Sequence, residues 1–340
     1  MNRRIDSHKL MLHPEMVCKW KAGWKIYPIY VEISPTSVCN FKCSFCALDF
    51  MKRGASLGII GIQEAMLSMS KLGVKSIMFA GEGEPLLHPE FVEMAQYAKR
   101  MGIDIALTTN GSMLDQIISY DLLPIMSWIK VSLSSVVPTT FAKMSGLDRN
   151  VGIQMLGKVL RNMQNAVDIK KSYDHKCDIG IQMLVTEENI NDIGDTIQMA
   201  KDIGVDYIVL KQYSHHPSSK NEHATPSIDY PYEKMSTSKF RVIVRKPVYG
   251  HNYDKCYALP FWSYIASNGD VSACSSHIPD SRFILGNIYK NLMSDIWATE
   301  NYQKVYDAIN VTNCRTNCRM NACNEYLYEL MNPNRHVNFI

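Results

Sequence analysis

Cys39, Cys43 and Cys46 fall within the eight residues CNFKCSFC, separated by three and then two positions. Three chemistries use thiolates spaced like this. Structural zinc takes four closed ligands, usually with a two-residue Cys–Cys spacing. Catalytic zinc takes three protein ligands, more often with histidine among them. An iron–sulfur cube is normally held by four thiolates, so three leave one iron with an open position for an external ligand. A second group, Cys256, Cys274, Cys314, Cys318 and Cys323, stands more than 200 residues further on. The two remaining cysteines, Cys18 and Cys177, are isolated and read as small apolar residues.

The rest of the composition narrows the setting. The chain has 340 residues, 46% of them hydrophobic, enough for one large domain and an appendage. A net charge of +3 is too mild to point to nucleic acid or a membrane surface. The N-terminal stretch MNRRIDSHKLMLHPEMV carries charges throughout, unlike a signal peptide. No segment reaches the roughly 18 apolar residues of a membrane span. These features lead us to expect a cytoplasmic protein, where thiols stay reduced and clustered cysteines serve metal rather than disulfides.

The elements that must position these cysteines are legible from residue 28 onward. Strands are predicted at 29–33, 75–80, 104–109, 128–133, 178–185 and 206–211. Amphipathic helical patterns lie between them, such as 90–102 and 190–204, and Gly73, Gly102 and Gly204 stand where helices should stop. Such alternation predicts an α/β fold with a parallel sheet covered by helices. Every predicted strand ends in a polar, glycine-bearing or metal-capable run: SPTSVC, GEGEP, TTNGS, SSVVPTT, TEEN and QYSHH. A doubly wound sheet uses only the strand ends near its switch point, whereas a barrel uses them all, so a partial barrel is expected. Residues 214–238 read as a linker or a loop over the barrel mouth, and 239–246 as one more strand. The expected organisation is an N-terminal extension (1–27), a barrel (28–248) and a small cysteine-bearing domain with a C-terminal tail (249–340). In that last region the sequence NGD predicts a hairpin, and the closing NRHVNFI is expected to dock on the body.

The first triplet, with Phe45 before its last cysteine and a β-run before it, resembles the radical S-adenosylmethionine enzymes. The resemblance extends over about residues 28–215 and implies a partial (β/α)6 TIM-like barrel. It implies that Cys39, Cys43 and Cys46 hold a 4Fe-4S cluster, with S-adenosylmethionine chelating the open iron. Reductive cleavage would then give a 5′-deoxyadenosyl radical that abstracts a substrate hydrogen. In GEGEP, Gly83 and Glu84 match the turn whose backbone meets the methionine amino group, while Glu82 replaces the usual first glycine. Ser132 and Ser134 match the serine-type position that contacts the ribose or carboxylate. Asn110, Gln182 and Asn189 are further cofactor candidates, and Lys211 and Gln212 lie where the family flanks the adenine.

The C-terminal stretch from Cys256 to Cys274, with Gly269 between, resembles the SPASM and twitch extensions that bind auxiliary iron–sulfur clusters. SPASM domains use seven cysteines and two clusters, twitch domains four and one. Five are present here, which implies one auxiliary 4Fe-4S cluster on Cys256, Cys274, Cys314 and Cys318. Cys323 is left as a replacement ligand, a hydrogen-atom donor or neither. A four-cysteine zinc site is the competing reading of this region.

Substrate clues are thinner. Tyr213, His215 and His216 leave the barrel at its mouth, and with Glu32 they are the acid–base candidates. Arg241 and Arg245 lie four apart on a predicted strand, on one face, where they could bind a phosphate or carboxylate. The region of about 28 residues before the barrel is expected to be too short for a leader-peptide recognition domain. The resemblance implies a small-molecule substrate (a sugar, aminocyclitol or nucleotide sugar), oxidised with the auxiliary cluster as electron acceptor. It also implies an external reductant such as flavodoxin or ferredoxin. An epimerase or a peptide-modifying enzyme of the same superfamily, and a non-catalytic zinc-binding module, are the alternatives.

Overall fold

The computed structural model describes residues 8–248, 250–314 and 317–339. The first seven residues of the N-terminal extension, and residue 249 at the expected domain boundary, lie outside that set. Ten strands form one sheet: β1 (Tyr30–Ile33), β2 (Ser76–Phe79), β3 (Asp104–Thr109), β4 (Met126–Ser132), β5 (Asp178–Val185), β6 (Tyr207–Gln212), β7 (Arg241–Val244), β8 (Trp262–Ile265), β9 (Asp270–Ser272) and β10 (Ile284–Asn287). Their order is β10-β9-β8-β1-β2-β3-β4-β5-β6-β7. From β1 to β7 every neighbour is parallel and consecutive in sequence.

The helices between these strands include α1 (Pro14–Lys21), α2 (Ile59–Leu72), α3 (Phe91–Arg100), α4 (Gln116–Leu122), α5 (Pro138–Met144), α6 (Arg149–Ser172) and α7 (Ile193–Ile203). Helices α2 and α7 stop at Gly73 and Gly204, both left-handed, as the sequence predicts. Alternate strand residues divide the sheet into two faces. Val31, Ile33, Ile77, Phe79, Ile105, Leu107, Ile129 and Val131 pack with the helices in one large core. Tyr30, Met78, Ala80, Ala106 and Trp128 form a separate cluster on the opposite face, which carries no helix residue. Helices on one face only are the mark of barrel winding, and a doubly wound sheet would be covered on both.

The cysteine-bearing region is built onto this sheet. Strand β8 pairs in parallel with β1, and β9 and β10 follow antiparallel, with the expected hairpin turning at Gly269. The remaining helices are α8 (Met293–Ile296), α9 (Glu300–Ala308) and α10 (Asn321–Met331). One expectation fails here: the C-terminal tail does not dock. Val337 and Phe339 are exposed, 60% and 82%, because the polar run MNPNR ends α10 and carries the chain away from apolar surface. Among the described residues no helix is long and apolar enough to cross a membrane.

Candidate active site

The loop after β1 that carries Cys39, Cys43 and Cys46 is fixed through its backbone by three other segments. At the end of α5, Lys42 and Ser44 donate their N–H groups to the carbonyls of Ser145 (3.0 Å) and Met144 (2.9 Å). The loop passes Gly146 so closely, with its φ at +63°, that a Cβ there would lie 2.1 Å from the Lys42 oxygen. From the β2 loop, the Glu84 N–H donates to the Val38 carbonyl (2.9 Å). A Cβ on Gly83 would stand 2.2 Å from that same oxygen, so glycine is required for the two loops to meet. From the segment after β6, Asn221 donates its side-chain amide to the Cys46 carbonyl (2.9 Å), and His223 Nε2 donates to the Ser44 carbonyl (2.8 Å). The backbone is thus held firmly while the three thiols stay half-buried.

Arg53 brings a cation to this loop. Its guanidinium lies 3.9 Å from the Cys46 sulfur and donates to the carbonyls of Ser37 (3.2 Å) and Glu82. Burial pushes the Cys43 thiol far above the usual thiol range, and the neighbouring Cys46 and Cys39 push it further. Burial likewise raises Cys39, with Arg53 pulling the other way. Thiols that repel one another in this way converge on shared space, and a bound metal group is what deprotonates them. Among the described residues, no three of His, Cys, Asp and Glu are gathered tightly enough to hold a single metal ion. A multi-iron cluster spreads its ligands more widely than one ion does, so this donor set fits such a cluster.

The loops after β1, β2 and β3 are stitched together by side chains. Glu84 accepts from Thr109 Oγ1 (2.6 Å), Leu86 N (3.1 Å) and Asn110 N (2.6 Å). Burial still pushes its carboxyl up to about 7. Asn110 donates to Asn40 Oδ1 (2.8 Å), and Asn40 donates to Ser112 Oγ (2.9 Å). The side chains of Glu84 and Asn110 are therefore spent on holding the loops, leaving backbone as what this turn can offer a ligand. Glu82, which stands where the family has glycine, has its own role: its carboxylate accepts from Tyr264 (3.2 Å) and from the backbone and hydroxyl of Ser267. It ties the β2 loop to the hairpin of the cysteine-bearing domain.

Other expected residues scatter in role. Ser132 and Gln182 are half-buried register partners on β4 and β5. Ser134 is buried, and its Oγ has no partner among the described residues. Asn189 is consumed structurally, donating to the carbonyls of Ser134 and Leu184. Gln212 is buried and donates to the Pro226 carbonyl (3.1 Å), while Lys211 beside it is half-buried. Arg241, the first residue of β7, and Arg245, just past its end, are both half-buried.

The acid–base candidates each have hydrogen-bond partners within the fold. Glu32 is buried and paired at both oxygens with Arg319 (2.6 Å at Oε1). His216 is fully buried; its Nδ1 accepts from Ser218 N (3.1 Å), so its Nε2 donates to the Ser275 carbonyl (3.1 Å). Both ring nitrogens are engaged in joining the loop to the hairpin. Tyr213 is buried and donates to the Asn221 carbonyl (2.8 Å), which His215 Nδ1 also meets (3.2 Å). Glu32, Tyr213 and His216 thus join distant segments of the fold, while His215 is half-buried with one contact. Sequence reading missed Arg53, Asn221, His223 and Arg319, whose partners lie far away in the chain. It also missed Lys130, although its alternation with Ser132 along β4 placed it on the inner face.

The second cysteine group is assembled from distant segments. Burial drives the Cys256 thiol far up, and Cys274, Cys318 and Cys314 each raise it further. Cys323, on α10, is pushed up to about 12 by burial and then by Cys318, the one thiol acting on it. Four thiols therefore converge and the fifth sits at their edge. Two N–H donors already point at the sulfurs: Asn324 Nδ2 to Cys256 (3.8 Å) and Ser276 N to Cys274 (3.4 Å). Donors of this kind tune a cluster's potential.

A parallel barrel with a cysteine triplet at its first strand end, and a second cysteine group built onto the same sheet, sets the frame for the comparisons with known proteins. Residues 33–200 match the Radical SAM superfamily and residues 256–324 the SPASM iron–sulfur cluster-binding domain. The chain belongs to the radical S-adenosylmethionine superfamily and carries a SPASM-type C-terminal domain; its cofactors are S-adenosylmethionine and 4Fe-4S clusters. It is 27% identical over 185 residues to a probable GTP 3′,8-cyclase of Saccharolobus islandicus, covering 53% of this chain and 55% of that one. It is 32% identical over 123 residues to GTP 3′,8-cyclase of Chlorobaculum tepidum, covering 35% and 37%. The chain thus spans about half the length, or less, of these curated relatives. In fold it is similar to Streptococcus suis SuiB bound to S-adenosylmethionine, with TM-score 0.67, 15% identity and coverage of 87% of this chain and 72% of that one. It is also similar to anSMEcpe with bound AdoMet, with TM-score 0.61, 19% identity and coverage of 82% and 83%.

Proposed function

We propose that this radical S-adenosylmethionine enzyme dehydrogenates a small polar substrate, of the sugar, aminocyclitol or nucleotide-sugar class. In this reading Cys39, Cys43 and Cys46 hold the cluster that binds S-adenosylmethionine. Cys256, Cys274, Cys314 and Cys318 hold one auxiliary 4Fe-4S cluster. The observation that carries the reading is the contrast in donor number: three converging thiols at the strand ends, and four converging thiols in the domain beside them. Together the bound groups supply a 5′-deoxyadenosyl radical for hydrogen abstraction and a site that accepts the remaining electron. The chain's own residues fix the geometry. Gly83 and Gly146 let the triplet loop settle, Arg53 supplies positive charge beside Cys46, and Glu82 couples the β2 loop to the hairpin that ends at Cys274. An external reductant, a flavodoxin or ferredoxin, delivers the first electron.

The test is turnover of deuterated sugars and aminocyclitols by the anaerobically reconstituted protein. Deuterium in the released 5′-deoxyadenosine, together with an oxidised product, supports the reading. Deuterium transfer only from a peptide, and only with its leader present, replaces it with peptide modification. Return of hydrogen from solvent to an inverted carbon replaces it with epimerisation.

A further inference from the structure

The β2 loop GEGEP (81–85) is wedged between the two cysteine-bearing regions. On one side it meets the triplet loop, through Gly83 and the Glu84 N–H. On the other it meets the C-terminal hairpin, so closely that a Cβ on Gly81 (φ +118°) would lie 2.8 Å from the Tyr264 hydroxyl. Glu82 touches both sides at once. Its N–H donates to Ser34 Oγ (3.0 Å), just past β1. Its carbonyl accepts from Arg53, whose guanidinium also lies 3.9 Å from the Cys46 sulfur. Its carboxylate accepts from the Tyr264 hydroxyl (3.2 Å), the Ser267 N–H (3.3 Å) and the Ser267 hydroxyl. Burial and this carboxylate hold Tyr264 well above the ordinary phenol range, so it remains a donor. Ser267 lies in the turn between β8 and β9, and β9 leads on to Cys274.

Stability alone does not favour this side chain. Glu82 is 3% exposed, and among the described residues no cation pairs with its carboxylate. Three neutral donors hold it instead, and burying a charge on such terms costs free energy that glycine or alanine would avoid. What the carboxylate supplies is direction, because hydrogen bonds to an ionised acceptor are short and strong. We propose that Glu82 is a positioning residue that anchors the β2 turn to the C-terminal hairpin in the geometry that binds S-adenosylmethionine. This rests on the resemblance that sets the β2 turn beside the cofactor. Cofactor affinity then depends on the domain that carries the second cysteine group. Glycine, usual at this place in the family, would release the turn and leave the Tyr264 and Ser267 donors without their acceptor. Here it is expected to bind S-adenosylmethionine less well, not better.

The test uses the full-length, anaerobically reconstituted protein, with S-adenosylmethionine binding measured by equilibrium dialysis and stability by chemical unfolding. Glu82→Ala and Glu82→Gly are expected to raise the dissociation constant about fivefold or more. Glu82→Gln, which keeps the shape and an acceptor, is expected to stay within about twofold of wild type. Ser267→Ala, altered on the hairpin side of the contact, is expected to weaken binding as well. The double variant Glu82→Ala/Ser267→Ala should bind no more weakly than Glu82→Ala, because both changes break one link. Unchanged affinity in Glu82→Gly overturns the proposal, even where stability falls, since a merely structural residue moves the unfolding midpoint alone. Additive losses in the double variant also overturn it. If the Glu82 variants fail to fold by circular dichroism, Tyr264→Phe and Ser267→Ala carry the comparison, and wild-type affinity in both overturns the proposal. Gly83→Ala is measured in parallel. Unchanged binding there as well removes the turn from the cofactor and sinks the underlying resemblance at this loop. Weakened binding in Gly83→Ala with unchanged binding in Glu82→Gly sinks the anchor alone.

Discussion

The two cysteine regions are built by opposite strategies. The N-terminal triplet comes from one short loop whose backbone is clamped from three sides, so three neighbouring residues supply all the sulfur. The C-terminal set draws Cys256, Cys274, Cys314 and Cys318 from a stretch whose first and last cysteines are 62 positions apart. In the proposed reading it satisfies four ligand positions, whereas the triplet leaves one open. The comparison teaches that a reactive metal site and a closed one differ less in ligand type than in how many donors the fold allows to converge.

The sharpest way to break the comparison is to remove one sulfur from each side. Cys43→Ala should abolish reductive cleavage of S-adenosylmethionine, by about a hundredfold or more, and remove about four irons. Cys274→Ala should remove a similar amount of iron and stop substrate oxidation while 5′-deoxyadenosine still forms at a reduced rate, as read by chromatography. Next in size is the pair that joins the two regions through β1. Arg319→Ala leaves the Glu32 carboxylate buried without its partner and should cost about 3–5 kcal/mol in chemical unfolding. Gly83→Ala sets a methyl against the Val38 oxygen and should destabilise the protein by about 1–3 kcal/mol. It should also weaken S-adenosylmethionine binding, measured by equilibrium dialysis.

A smaller effect concerns the inner face, which neither cysteine region occupies. The folded pKa of Lys130 is depressed to about 8 from an ordinary 10.5, with Arg245 as the charge acting on it. The unfolded chain holds that proton more tightly, so the charged lysine destabilises the fold below about pH 8 and the penalty fades as pH rises toward 10.5. Lys130→Met should therefore melt above wild type at pH 7, with the gap narrowing at pH 10. The smallest change is expected at Cys323, which sits at the edge of the four-thiol group. Cys323→Ala should leave the iron content unaltered by metal analysis, and a loss of about four irons would make it a ligand.

Much of this was legible in the chain. Six strands and the winding direction follow from alternation and from polar strand ends, because parallel strands buried beneath helices have few sequence alternatives. The triplet was visible since its ligands are neighbours. The partners of the acid–base candidates were not legible, because residue type says nothing about a distant partner. His216 looks reactive until the Ser275 carbonyl arrives from the hairpin, and Glu32 until Arg319 arrives 287 residues later. Glu82 read as a departure from a glycine motif, and only the placement of Tyr264 and Ser267 gives it a role. Such long-range pairings leave no local pattern.

The central claim is that the triplet alone meets S-adenosylmethionine while the C-terminal set holds a closed cluster. Anaerobic iron and sulfide analysis with electron paramagnetic resonance, on wild type and on the Cys39→Ala/Cys43→Ala/Cys46→Ala variant, tests it most directly. The account expects about eight irons in wild type, with a reduced-cluster signal that changes when S-adenosylmethionine is added. It expects about four irons in the triple variant and a signal indifferent to S-adenosylmethionine. Zinc without labile sulfide, or a triple variant whose remaining cluster still responds to S-adenosylmethionine, would contradict it.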